Sequence, residues 1–163
     1  MYKKFFIIFS LFLFYNSSFG FGLKNADIDI ESKELKVFTN QNKAKFKGNV
    51  IVKQNDFIAH SDELILFFNK DTIKNAIFLN NVKIHAGNQV AYGDRGEYLK
   101  NNSVFKLTGN VYLMQENYKI YGDVFTYNTN TKEASISTVK NDKGGKKRVK
   151  AKFNSNLRIN AHS

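Results

Sequence analysis

One spacing occurs three times in this chain. Val50 precedes Asp62, Val82 precedes Asp94 and Val111 precedes Asp123, each by 12 residues. The valines close near copies of one tripeptide: Gly48-Asn49-Val50, Asn80-Asn81-Val82 and Gly109-Asn110-Val111. A small residue, Ser61, Gly93 or Gly122, stands before each aspartate. A spacing kept through three copies means one supersecondary unit in tandem. Such a unit buries its apolar face only against its neighbours.

Aligned on the valines, Phe46, Gly48, Val50 and Val52 match Phe78, Asn80, Val82 and Ile84, then Leu107, Gly109, Val111 and Leu113. The residues between them are mostly polar. Apolar side chains at every second position mark a half-buried strand, because successive side chains leave opposite faces. Turn formers follow at Gln54-Asn55-Asp56, Gly87-Asn88-Gln89 and Glu116-Asn117. The return strands read IAHSDELILFF, VAYGDRGEYL and KIYGDVFTYN. Their phase changes at the aspartate: Ala59 and Ser61 are odd-numbered, whereas Leu64, Leu66 and Phe68 are even. A one-residue change of phase is what a β-bulge or bend produces. The aspartate is expected to close that bend by accepting hydrogen bonds from backbone N–H groups.

Asn69-Lys70-Asp71, Lys100-Asn101-Asn102 and Asn128-Thr129-Asn130 turn the chain into the next segment, the last of them toward Glu133 to Val139. A degenerate first copy starts at Ile28 and runs through Leu35 to Phe38. About ten strands follow with no helical period after residue 20, so the fold class is all-β. A flat sheet that wide is unusual, and the strands are expected to roll or to stack as two sheets.

The N-terminus has another character. Lys3 and Lys4 precede an apolar run from Phe5 to Phe14, and Ser17-Ser18-Phe19-Gly20 offers small residues for cleavage after Gly20. This is the layout of a secretory signal peptide over 1–20. An uncleaved anchor is the other reading, although a membrane span needs about 20 apolar residues. Residues 21–139 form the β body and 140–163 a basic C-terminal segment. The body holds 15 basic and 13 acidic side chains, whereas 140–163 holds eight basic and one acidic. The chain contains no Cys, which excludes disulfides and thiolate metal sites.

The stretches KLTGNVYLMQENYKIYGDVFTYN, AKFKGNVIVKQ and IDIES, with the basic stretch GKKRVKAKF, resemble the OstA-like family of lipopolysaccharide-export proteins. The likeness is to its periplasmic LptA members, with LptC and the N-terminal domain of LptD as relatives. It runs from about Ile28 to Phe153; Asn80 departs from it, standing where the other copies have glycine. The resemblance implies an open antiparallel β jelly roll, a rolled V-shaped sheet of repeated hairpins. It implies carriage of lipopolysaccharide across the periplasm. It also implies head-to-tail assembly, with an LptC-like protein at the N-terminal edge and an LptD-like N-terminal domain at the C-terminal edge.

The residues accommodate that role. Ile28, Ile30, Val50, Val52, Leu64, Leu66, Val82, Ile84, Tyr98, Val111, Leu113, Phe125 and Tyr127 are expected on one apolar face. They either line a trough for the acyl chains of lipid A or form the protein's own core. Ile28, Asp29, Ile30 and Glu31 at one end, and Ala134, Ser135, Ile136, Ser137, Thr138 and Val139 at the other, are the candidate edge strands. Unpaired edges template strand addition, and head-to-tail pairing can continue as a homo-oligomer. The cations Lys146, Lys147, Arg148, Lys150 and Lys152 either meet lipid A phosphates or form a solvated charge run.

Other functions fit poorly. His60, Ser61 and Asp62 are adjacent on a strand, so their side chains alternate faces and cannot form a catalytic relay. His60, His85 and His162 lack metal-ligand spacing, and no cofactor motif is present. Nucleic acid is not an expected partner, since no RNA-binding motif is recognisable. Two alternatives stay open: a membrane-anchored adaptor of the LptC type, and a self-assembling β scaffold without ligand.

Overall fold

The computed structural model describes residues 27–70, 72–116, 118–139 and 147–153. The expected signal peptide lies outside these residues, as do 140–146 and 154–163 of the basic segment. Ten antiparallel strands form one sheet. They are β1 (Asp29–Glu31), β2 (Glu34–Phe38), β3 (Lys43–Gln54), β4 (Phe57–Asn69), β5 (Thr72–Ala86), β6 (Gln89–Leu99), β7 (Val104–Gln115), β8 (Tyr118–Asn128), β9 (Ala134–Ser137) and β10 (Lys150–Phe153). Two single 3₁₀ turns, Thr39–Gln41 and Lys100–Asn102, are the helical elements among the described residues. The hairpins fall where the alternation predicts, and the fold is the expected all-β, unclosed roll.

The six long strands, β3 to β8, pair in sequence order. Each outer edge is made of two short pieces. β1 and β2 both pair with β3, at Val52 and Phe46 respectively, so they form one strand broken at Ser32-Lys33. β9 and β10 both pair with β8, around Phe125 and Ile120, and the described residues 138–139 and 147–149 between them are not in strand.

Every hairpin is interrupted at the repeated tripeptide. Lys47 pairs with Glu63 but Val50 with Ser61, so Gly48 and Asn49 oppose Asp62 alone. Likewise Asn80 and Asn81 oppose Asp94, and Gly109 and Asn110 oppose Asp123. All six of these glycine and asparagine residues have positive φ, from 47° to 85°. Glycine and asparagine are the residues that enter this region at least strain. The bulge also produces the change of phase. The buried positions of β4 are Phe57, Ala59 and Ser61, then Leu64 and Leu66, and β6 and β8 shift likewise.

The aspartates close these bends differently from expectation. Asp62 accepts a hydrogen bond from the Asn81 side-chain amide at 2.7 Å, and Asp94 from the Asn110 amide at 2.8 Å. Each aspartate thus grips the bulge of the following hairpin instead of a backbone N–H. Asp123 alone accepts from the backbone, the Val139 N–H at 2.9 Å. It has no following hairpin to grip, because the chain leaves the sheet there.

The consistent phase puts one apolar face inside the roll. Phe78, Phe105, Leu64, Ile84 and Leu107 are its largest fully buried members, with Val50, Val82 and Val111 beside the line of bulges. Gly109 tests the bulge geometry. Its φ is +78°, and a Cβ there would lie 2.3 Å from Asp94 Oδ2. Gly109→Ala should therefore lose about 1–3 kcal/mol of stability in urea unfolding. Asn80→Gly, at φ 61°, should change it by less than about 0.5 kcal/mol.

Candidate functional site: the apolar inner face and its two edges

The thirteen residues expected on one apolar face do share it. Val50, Val52, Leu64, Leu66, Val82, Ile84, Tyr98, Val111, Leu113, Phe125 and Tyr127 are buried, none more than 8% exposed. Ile28 and Ile30 are half-buried and pack on this cluster from the N-terminal edge. Ala134 and Ile136 do the same from the C-terminal edge. The inner side chains form one contiguous buried cluster, so the face is a packed interior with half-buried rims. A cavity of about 480 Å³ lies at one end of the strands, lined by Asn69, Lys70, Thr72, Ile73, Lys74, Lys100 and Asn101. Another of about 240 Å³ sits against Glu34, Lys36, Phe38, Lys45 and Lys47. Neither touches the thirteen. Burial raises the pKa of the Tyr98 and Tyr127 phenols, which keeps them neutral in this interior.

The rims hold the exposed apolar surface. Leu35 and Val37 on β2 are 53% and 64% exposed, and Val139, Val149 and Phe153 lie at the opposite edge. Leu35 is paired with Phe46 and Val37 with Ala44, so both point inward. Phe153 is paired with Tyr118 and stacks edge-on to its ring at 5.3 Å. The roll therefore leaves inward-facing apolar chains uncovered at its two edges.

The edges differ in part from those expected. Asp29, Ile30 and Glu31 form β1, and Ile28 precedes it. Ala134, Ser135, Ile136 and Ser137 form β9. Thr138 and Val139 do not extend it: Thr138 Oγ1 donates to the Lys147 carbonyl at 2.8 Å, and the Val139 N–H turns to Asp123. The strand that completes this edge is β10, within the segment expected to be a basic extension. Its alternation, Val149, Ala151 and Phe153 between Lys150 and Lys152, was the available signal. Phe57, Phe105 and Ile120 are further core residues outside the aligned repeat windows.

On the outer face Tyr92, Tyr112 and Tyr121 stack at 5.4 and 4.9 Å, the spacing of adjacent strands. His60 and His85 meet edge to face at 6.2 Å. Burial, then the charge of Lys83, lowers the pKa of His85, so it is neutral at physiological pH. Among the described residues there is no group of three or more His, Cys, Asp or Glu that could hold a metal ion. No helix among them is long and apolar enough to cross a membrane.

Residues 29–133 match the family described as LptA/(LptD N-terminal domain) LPS transport protein. The chain belongs to that family. Among solved structures, LptH of Pseudomonas aeruginosa is similar, at a TM-score of 0.67 and 14% identity. That structure is described as the LptA homologous periplasmic component of the conserved lipopolysaccharide transport device. The alignment covers 78% of this chain and 95% of LptH. At that identity the likeness establishes the fold, an LptA-like β jelly roll. No curated protein matches. The family match begins at β1 and ends just before β9, so the C-terminal edge lies outside it.

Two measurements test this geometry. Phe78 is fully buried, so Phe78→Ala should lose about 3–5 kcal/mol in denaturant unfolding. Val37→Ser at the exposed rim should lose less than about 0.5 kcal/mol. Asp123 gives a pH test. The Val139 N–H, then Lys147, holds its carboxylate below the ordinary aspartate value. The grip on Val139 and Lys147 is thus present above that ordinary value and lost as pH falls through the depressed one. The Val139 amide NMR signal should shift in that acidic window, and should not in Asp123→Asn.

Proposed function

We propose that this protein is a lipopolysaccharide carrier of the periplasm, exported by an N-terminal signal peptide. It holds acyl chains against its inner face and joins neighbouring proteins through its two open edges. The observation that carries the reading is an apolar interior bounded by two strand edges that do not pair with each other, in a chain of an LPS transport family. Acyl chains would enter at the two ends of the strand order, where Ile30 and Ile136 pack on the interior and no further strand of the chain lies beside them among the described residues. Each methylene transferred from water contributes about 0.8 kcal/mol, so a lipid can offset rim contacts that it displaces.

The edges would serve assembly. An LptC-like protein adds a strand to β1–β2, an LptD-like N-terminal domain to β9–β10, and further copies of the chain extend the bridge between them. Strand addition needs free backbone N–H and C=O groups, which the outer sides of both edge strands offer. An enzymatic role has no support in the site: His60, Ser61 and Asp62 stand in successive positions of β4, with Ser61 buried and Asp62 exposed. Energy for directional movement must come from other components.

A photo-reactive side chain at Ile30 or Ile136 should capture labelled lipopolysaccharide, whereas one at Lys53 on the outer face should not. Equal capture at all three would mean surface adhesion. Absence of adducts at every site would favour the ligand-free scaffold.

A further inference from the structure

We propose that the outward charges of the two edges form a pairing code. The code joins the C-terminal edge of one copy to the N-terminal edge of the next, with Lys150 opposite Glu31 and Lys152 opposite Asp29. This rests on the reading that copies join edge to edge, and it supplies the register and the reason that the joint is head to tail.

Direction comes first. β1 runs antiparallel to β3 and β10 antiparallel to β8. Because β3 to β8 alternate, β10 and β1 point in opposite directions. A second copy set beside the first therefore continues an antiparallel sheet. The cross-strand rows then match. One row of directly paired residues starts at Glu31, opposite Ile51, and ends at Lys150, opposite Tyr121. The next starts at Asp29, opposite Lys53, and ends at Lys152, opposite Lys119. Both rows lie on the outer face, acidic where they begin and basic where they end.

Slippage is restricted on two counts. A shift of one residue would set the inward-facing Ile30 of one copy against an outward-facing residue of the other, so the two apolar faces would no longer be continuous. A shift of two would break the line of bulges. In the straight register the break at Ser32-Lys33 lies opposite the gap between Ser137 and Lys150, and the bend passes unbroken from copy to copy. In this register Leu35 and Val37 of one copy, 53% and 64% exposed, meet Ile136 and Ala134 of the other. Phe153, also 53% exposed, lies beside Ile28 and Ile30.

The code also rejects wrong joints. Two N-terminal edges would set Asp29 and Glu31 against their own kind, and two C-terminal edges would set lysines together; such repulsion confers specificity. Among the described residues Lys150 and Lys152 have no ion-pair partner within the chain, so they remain available. Glu31 already holds Lys53 at 2.6 Å, which fixes its position at the rim.

The test uses disulfide capture between full-length chains, since the protein has no Cys of its own. Ser135→Cys in one chain and Lys36→Cys in another stand directly opposite in the proposed register. They should form a disulfide on mild oxidation. Lys150→Glu with Lys152→Glu in the Ser135→Cys chain should lower the yield at least tenfold. Asp29→Lys with Glu31→Lys in the Lys36→Cys chain should restore it, which also shows that the reversed chains are folded. Undiminished capture by the reversed chain overturns the code while leaving edge-to-edge joining intact. So does a disulfide from Ser135→Cys to Glu34→Cys in preference to Lys36→Cys, which would show another register. No disulfide at any edge pair overturns edge-to-edge joining itself, and the code with it.

Discussion

The line of bulges governs this structure. β3, β5 and β7 each carry two successive residues at positive φ, and each return strand carries one aspartate opposite them. The mismatch changes the phase of the return strand and bends the hairpin at one level. Because the bends of neighbouring hairpins coincide, the whole sheet folds along one line and its apolar face turns on itself. Without the bends the same alternation would yield a wide, twisted sheet with one greasy side in water. The Asp62–Asn81 and Asp94–Asn110 bonds couple each bend to the next. Curvature thus becomes a property of the array, and single hairpins do not set it alone.

The result is a tight interior with loose margins. Eleven of the thirteen residues expected on the apolar face are sealed in the roll, and the other two lie on its rim. A fully buried aliphatic side chain contributes about 1.5–3 kcal/mol, so displacing several of them is demanding. An acyl chain of a dozen methylenes brings roughly 10 kcal/mol of its own, comparable to the total stability of a domain. On the proposed reading, exchange of protein contacts for lipid contacts at the rims would be close to balanced. Such a balance would suit the proposed carrier role, which requires release as well as uptake.

Much of the fold was legible because a period of two is hard to mistake over strands this long. The valine-to-aspartate interval located the hairpins, and the odd-to-even change around Asp62 located the bulge. The partner of each aspartate was not legible, since it belongs to the neighbouring hairpin and depends on register between units. Nor does alternation tell how closely two halves of one face approach, which is what separates a trough from a core. β10 escaped because 12 residues, 138–149, intervene between it and β9, and its lysines read as an extension of the charge run. The tripeptide alignment stopped short of Phe57, Phe105 and Ile120, which lie nearer the strand ends.

That intervening segment departs from the sheet beside Val124 and rejoins it beside Tyr121, so its two ends are tethered at one level of β8. Asp123, Thr138 and Lys147 tie them together at the base. The anchoring of both strands on β8 thus rests on these described ends, and a change of surface chemistry between them does not alter the residues through which β9 and β10 pair.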